Sequence, residues 1–184
     1  DEGGAIQWIA QTCPEVGSIA RGVANGISGG AKACFLHGGM MDGLFARGEL
    51  GEVPGAIETI RRAGLAAGIA AHDPAVHRWA DRELDLDFHM CSYYNPVPRD
   101  RLGQHVPGAP ERYDPADRDA MLETIAQLRR PAIHYKVLAA GRHDPAEALA
   151  FVARHLRPQD AVCVGVFLKD APDSIERNLR LLGF

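Results

Sequence analysis

Short apolar runs alternate with longer amphipathic stretches along the whole chain. Runs of strand length occupy residues 32–37 (KACFLH), 65–71 (LAAGIAA), 87–92 (DFHMCS), 132–138 (AIHYKVL) and 161–167 (AVCVGVF). Each is too short for a helix and lies between longer helical patterns, which reads as a strand. Between them lie helical patterns with recognisable starts. Thr12 and Glu15 stand three residues apart as a capping box ahead of a helix over 14–28, which Gly29 and Gly30 stop. A second helix covers 52–63 and ends at Gly64. Asp73-Pro74, Asp114-Pro115 and Asp144-Pro145 open three more, because aspartate caps the free amides of a first turn and proline fits its first position. A last helix spans 173–182.

Strands separated by helices of ten or more residues pair in parallel through right-handed crossovers. An open doubly wound sheet and a closed barrel both obey that rule. The barrel is favoured because no glycine-rich phosphate loop follows any strand, and because polar residues gather where the strands end, the face on which barrel enzymes do their chemistry. A complete barrel has eight strands and about 250 residues. The five strands read here therefore predict an α/β fold, a partial TIM (β/α)8 barrel with its N-terminal three strands missing, forming one incomplete domain over residues 1–184. The segment 93–113 carries Pro96, Pro98, Gly103, Pro107, Gly108 and Pro110 and is long for a connection, which suits a binding loop or a plain excursion.

Composition narrows the partners. With 46% hydrophobic residues the 184-residue chain can bury a core, and a net charge of −4 with a pI near 6.1 supplies no basic field for nucleic acid. No apolar stretch approaches a membrane span, so a soluble, cytoplasmic protein with a small-molecule substrate is expected. Cys13, Cys34, Cys91 and Cys163 are scattered singly without a CxxC pair, and three of them lie in predicted strands as small hydrophobes.

Taken in order, the strand ends present His37 with Asp42 beyond it, His72 with Asp73, His89, Cys91, Tyr93 and Tyr94, then His134, Tyr135 and Lys136, and finally Phe167 with Lys169 and Asp170. Alternation puts His89, Cys91 and Tyr93 on one face of their strand and Phe88 and Met90 on the other. Lys136 is a cation in an apolar strand. It needs a partner such as Asp42 or Asp87, or else a task in Schiff-base or proton-transfer chemistry. His77, His105, His143 and His155 fall in helices or loops and are read as solvated.

Several segments carry a resemblance in chain order. CFLHGGMMDGLFARGELGEVPGAIETIRRAGLAAGIAAHDPAV, YYNP at 93–96, AIHYKVLAAGR and VGVFLKDAPDSIERNLRLL are similar to successive passages of the aldo-keto reductases, from the third helix to the eighth. The resemblance implies an oxidoreductase that reduces a small carbonyl compound with NADP(H). On that reading His37 is a catalytic histidine, and the residues themselves add Lys136 and His72 as further catalytic candidates. Tyr135 stacks on the nicotinamide, Cys91 stands where the carboxamide-binding glutamine is usual, and Asn178 lies near the adenine. Ala71-His72 replaces the family's Ser-Asn pair, and its catalytic tyrosine, lysine and aspartate belong to the absent strands. Two other functions stay open: a metal-dependent lyase, isomerase or hydrolase with Zn or Mn held by His37, His72, His89 and Asp42, and a non-catalytic barrel remnant.

Overall fold

A computed structural model describes residues 6–13, 17–96 and 111–183. It contains one sheet of six parallel strands: β1 (Ile9–Gln11), β2 (Ala33–Leu36), β3 (Ala66–Ala71), β4 (Phe88–Ser92), β5 (Ala132–Tyr135) and β6 (Ala161–Val162). Every strand pairs with its neighbour in sequence, and the order never reverses. A doubly wound sheet has a point where the order turns back; this one curls in a single direction, as a barrel wall does.

The two faces of the sheet confirm the curl. Cys34, Leu36, Ala67, Ile69 and Ala71 pack outward against Val23 of α1 (Ile19–Ser28), Met41 of α2 (Gly38–Arg47), Ile57 and Ile60 of α3 (Val53–Arg62), and Val76 of α4 (Pro74–Glu83). Further round, Cys91, Tyr93 and Ala132 pack against Met121 and Ile125 of α5 (Pro115–Ile125) and Leu149 and Val152 of α6 (Pro145–Ala153). Among the described residues the opposite face buries only strand residues, Ala33, Phe35, Ala70, Phe88 and Met90, which fill the lumen. Phe35 and Phe88 meet there edge to face at 6.3 Å, a contact that contributes about 0.5–1.5 kcal/mol beyond its buried area. The chain closes with α7 (Ser174–Leu181). No helix among the described residues is long and apolar enough to cross a membrane.

The three Asp-Pro starts form as the sequence indicates. Asp73 accepts from the Ala75 amide at 2.7 Å, Asp114 from Ala116 at 2.9 Å, and Asp144 from Glu147 at 3.0 Å. Elsewhere the local signals misled. Thr12 does not cap a helix: its hydroxyl accepts from the His37 amide at 3.0 Å and ties β1 to the exit of β2. The first helix begins at Ile19, capped by Ser18, whose hydroxyl accepts from the Arg21 amide. Glu15 lies outside the described residues.

One strand and one α-helix among the described residues were not expected from the sequence. β1 is three residues long, and α2 opens on Gly38-Gly39, a pair that looks like a helix stop. What starts α2 is His37, whose Nδ1 accepts from the Met40 amide at 3.3 Å, and what ends it is Gly48 at φ 70°. β5 stops at Tyr135 rather than continuing to 138, because Lys136, Ala139 and Ala140 all turn to positive φ (59°, 47° and 53°). β6 is likewise shorter than the run 161–167, and Cys163 beyond it is exposed.

Candidate functional site

The mouth of the curled sheet is built at the exits of β2, β3 and β5. His72 follows the last residue of β3, and Asp42 reaches it from α2. One carboxylate oxygen of Asp42 accepts from the backbone amides of His72 (3.0 Å) and Asp73 (3.2 Å), and the other lies 2.8 Å from His72 Nδ1. Asp42 is 6% exposed. A carboxylate so placed remains an acceptor, so Nδ1 carries the ring proton and donates it. Nε2 is thereby left as the acceptor, and Lys136 Nζ stands 2.8 Å from it.

The left-handed turn at Lys136 is what delivers the ammonium. In a continuing strand, Lys136 would share the parity of His134, which is fully buried on the helix side. At φ 59° the side chain instead returns over the mouth, with Nζ 5.7 Å from the centre of the Tyr135 ring. A left-handed conformation costs a non-glycine residue about 1–2 kcal/mol, and such strain concentrates at functional positions. Tyr135 closes the other side, its ring 6.4 Å from that of His72. Gly38 makes room for both: a Cβ there would stand 3.3 Å from His72 Cε1 and 3.4 Å from the Tyr135 hydroxyl. His37 sits next to Gly38 at the head of α2, its Nδ1 engaged in the cap.

The remaining candidates are placed elsewhere. His89 does not face the mouth. It points into the helix layer, where its Nδ1 is 3.1 Å from Nδ1 of His77, and Asp81 lies 3.5 Å from its Nε2. That Asp81 distance suits a charge contact but is too long for a good hydrogen bond, and His89 Nε2 has no hydrogen-bond partner. The four-residue metal set His37, His72, His89 and Asp42 is therefore split between the two faces of the sheet, and no group of three His, Cys, Asp or Glu side chains suited to a metal occurs among the described residues. His77, read as solvated, is fully buried; burial first, and the nearby His89 second, hold its imidazole down to about 3. His105 lies outside the described residues.

Cys91 also faces the helix layer, fully buried beside Tyr93, and burial pushes its thiol well above the ordinary range. It cannot meet a ligand in the lumen. Asp87, the other acid considered for Lys136, is held by Arg61 at 2.8 Å and by the Ala67 amide at 2.8 Å, at the opposite end of the strands. Asn178 of α7 lines a cavity of about 910 Å³ that Tyr135 and Lys136 also line. The sequence reading missed Thr12 as the tie under His37, and missed Ser174 and Arg177 in that cavity. A Ser-x-x-Arg-Asn spacing on a terminal helix was the one available signal.

No protein-family profile and no curated protein sequence matches the chain. Among solved structures it is similar to a dihydropteroate synthase of Xanthomonas albilineans, in complex with indole-2-carboxylic acid and 6-chloroguanine. The TM-score is 0.55 at 18% identity, over 95% of this chain and 66% of the other. The chain thus spans just under two thirds of that protein's length. Identity at this level speaks for the fold alone. The match corrects the aldo-keto reductase resemblance and the carbonyl reductase activity expected from it. Alternating strands and helices in the same order are common to barrels in general, and short motifs such as YYNP added little beyond that order.

Proposed function

We propose that the mouth of this barrel is a proton-transfer site acting on a small polar molecule. His72 is the group that takes and returns the proton, Asp42 orients it, and Lys136 steadies the negative charge that develops on the substrate. The observation that carries this reading is the unbroken hydrogen-bonded chain Asp42–His72–Lys136 across two strand exits. Asp42 fixes the tautomer, so Nε2 is the atom offered to the mouth and the carboxylate favours the imidazolium once it forms.

In the resting arrangement the Lys136 ammonium occupies that Nε2 lone pair. A substrate oxygen that draws the ammonium away frees Nε2. The proton leaving the substrate then goes to Nε2, and the charge left on the substrate oxygen is met by Lys136. Tyr135 and His37 form the walls. The similar barrel's complex with small ring compounds supports a small-molecule ligand for this mouth.

Two measurements test the reading on the full-length polypeptide. Nitrogen-15 NMR should find His72 protonated at Nδ1 in the wild type, and Asp42→Asn should change that tautomer; an Nε2-protonated His72 in the wild type would overturn the assignment. Deuterium exchange into a panel of small carbon acids, followed by proton NMR, should fall roughly 100-fold or more in His72→Gln. Undiminished exchange in that variant rejects the role of His72.

A further inference from the structure

The cavity of about 910 Å³ beside Lys136 extends well past the proton-transfer centre, and its far wall is the head of α7. Three polar atoms are buried there without a hydrogen-bond partner: Ser174 Oγ, Arg177 Nε and Asn178 Oδ1. Ser174 and Asn178 are only 5% and 6% exposed, and all three residues line the cavity. Folded chains leave few buried polar groups unpaired. Positions i, i+3 and i+4 lie on one helix face, so three such groups on one turn of one cavity wall mark a surface whose partner is a ligand.

The chemistry of the three groups points to an anion. Ser174 is the first residue of α7, at the positive end of the helix dipole; its own amide donates to the Ala171 carbonyl at 3.1 Å, and Asp173 before it makes no side-chain cap bond to the amides that follow. Arg177 contributes a permanent cation whose only ion pair among the described residues is a loose 3.9 Å contact with the exposed Asp173. The Asn178 amide presents its NH2 in place of its oxygen after a half-turn. Lys136 adds a second cation across the cavity, against one carboxylate, Asp170.

We infer that the α7 wall is an anion subsite that holds the phosphate or carboxylate tail of the small molecule whose reactive end meets His72. The link to the reactive end rests on the proton-transfer reading, whereas the subsite is tested by binding alone. Full-length protein is titrated at constant ionic strength with inorganic phosphate, with succinate, and with glycerol as an uncharged control, following amide shifts by NMR.

Saturable one-to-one binding of phosphate or succinate is expected, the tighter of the two naming the source. Arg177→Met should weaken it at least tenfold, Arg177→Lys should recover part of the loss, and Asn178→Asp should abolish binding by placing a like charge in the same volume. Circular dichroism confirms that each variant is folded. Shifts that never saturate, shifts equal to those with glycerol, or undiminished binding in both Arg177→Met and Asn178→Asp would overturn the subsite. If binding follows the prediction while His72→Gln leaves exchange unchanged, the subsite stands and the proton-transfer reading fails; the reverse pattern separates them the other way.

Discussion

Acidification to pH 5.5 should destabilise the fold through the two imidazoles buried behind β3 and β4. His77 and His89 are both fully buried and meet Nδ1 to Nδ1 at 3.1 Å, so one must donate and the other accept, and the pair cannot take up two protons without losing that bond. Desolvation first, and His89 second, hold His77 down to about 3 against the pull of the Ala71 carbonyl; desolvation holds His89 down to about 4 against the pull of Asp81. In the unfolded chain both return to about 6.5. The unfolded state therefore binds protons that the native state refuses. The stability is fully present above pH 6.5 and is lost as pH falls towards 4 and 3. By pH 5.5 each histidine removes about 1.4 kcal/mol, roughly 3 kcal/mol for the pair, a large share of a typical 5–15 kcal/mol total. Asp81 and Asp160, whose carboxyls burial pushes up but backbone amide bonds and the hydrogen bonds and charge of Arg129 and Arg157 together hold below the usual range, lose their contribution only at lower pH, so the windows are separable. The assay is urea unfolding followed by tryptophan fluorescence and circular dichroism between pH 8 and 5, on the wild type and on a His77→Asn/His89→Asn double variant. A midpoint that is flat in the wild type over this range, or that falls as steeply in the double variant, would refute the reasoning.

Three further outcomes follow from packing and charge. Gly68→Ala should cost about 1–3 kcal/mol in chemical unfolding, because a Cβ there would stand 2.6 Å from the Phe88 ring and force it off its contact with Phe35; an unchanged midpoint would show the lumen to be loosely filled. Asp160→Ala should cost about 3–5 kcal/mol, since this carboxylate, with a fully buried side chain, accepts from Arg157 at 2.8 Å and from the Ala132 amide at 2.8 Å, and its loss leaves a partly buried guanidinium without that partner. Lys136→Gly should raise thermal stability by up to about 1 kcal/mol by relieving the left-handed turn, while removing the ammonium from His72; a destabilised variant would mean that the pair with His72 outweighs the strain.

What the sequence made legible, and what it hid, follows from the range of the interactions involved. The Asp73, Asp114 and Asp144 caps are bonds between residues two or three apart, so their motif and their structure are the same object. Thr12 bonds a residue 25 positions away, and nothing near it distinguishes that duty from a capping box. The start of α2 was hidden for a related reason: a histidine cap ahead of two glycines contradicts local preference and holds because β2 and Thr12 fix His37 in place.

The site divides along the same line. Parity within β4 was readable, so His89, Cys91 and Tyr93 were correctly grouped; which face they shared was not, because both faces of a barrel strand are apolar and buried. That one undetermined sign decides whether His89 can serve the mouth, and it falls on the helix side. For Lys136 parity misleads outright, since the backbone leaves the strand at that residue and reverses the side chain's direction. The residues that reach the mouth, His72 and Lys136, are those just past a strand's last hydrogen bond, where alternation no longer dictates direction. In a parallel barrel the candidate chemistry accordingly depends less on which polar residues a strand contains than on where its ladder stops, and a one-residue extension of β5 would return Lys136 to the helix layer and leave Nε2 of His72 without its cation.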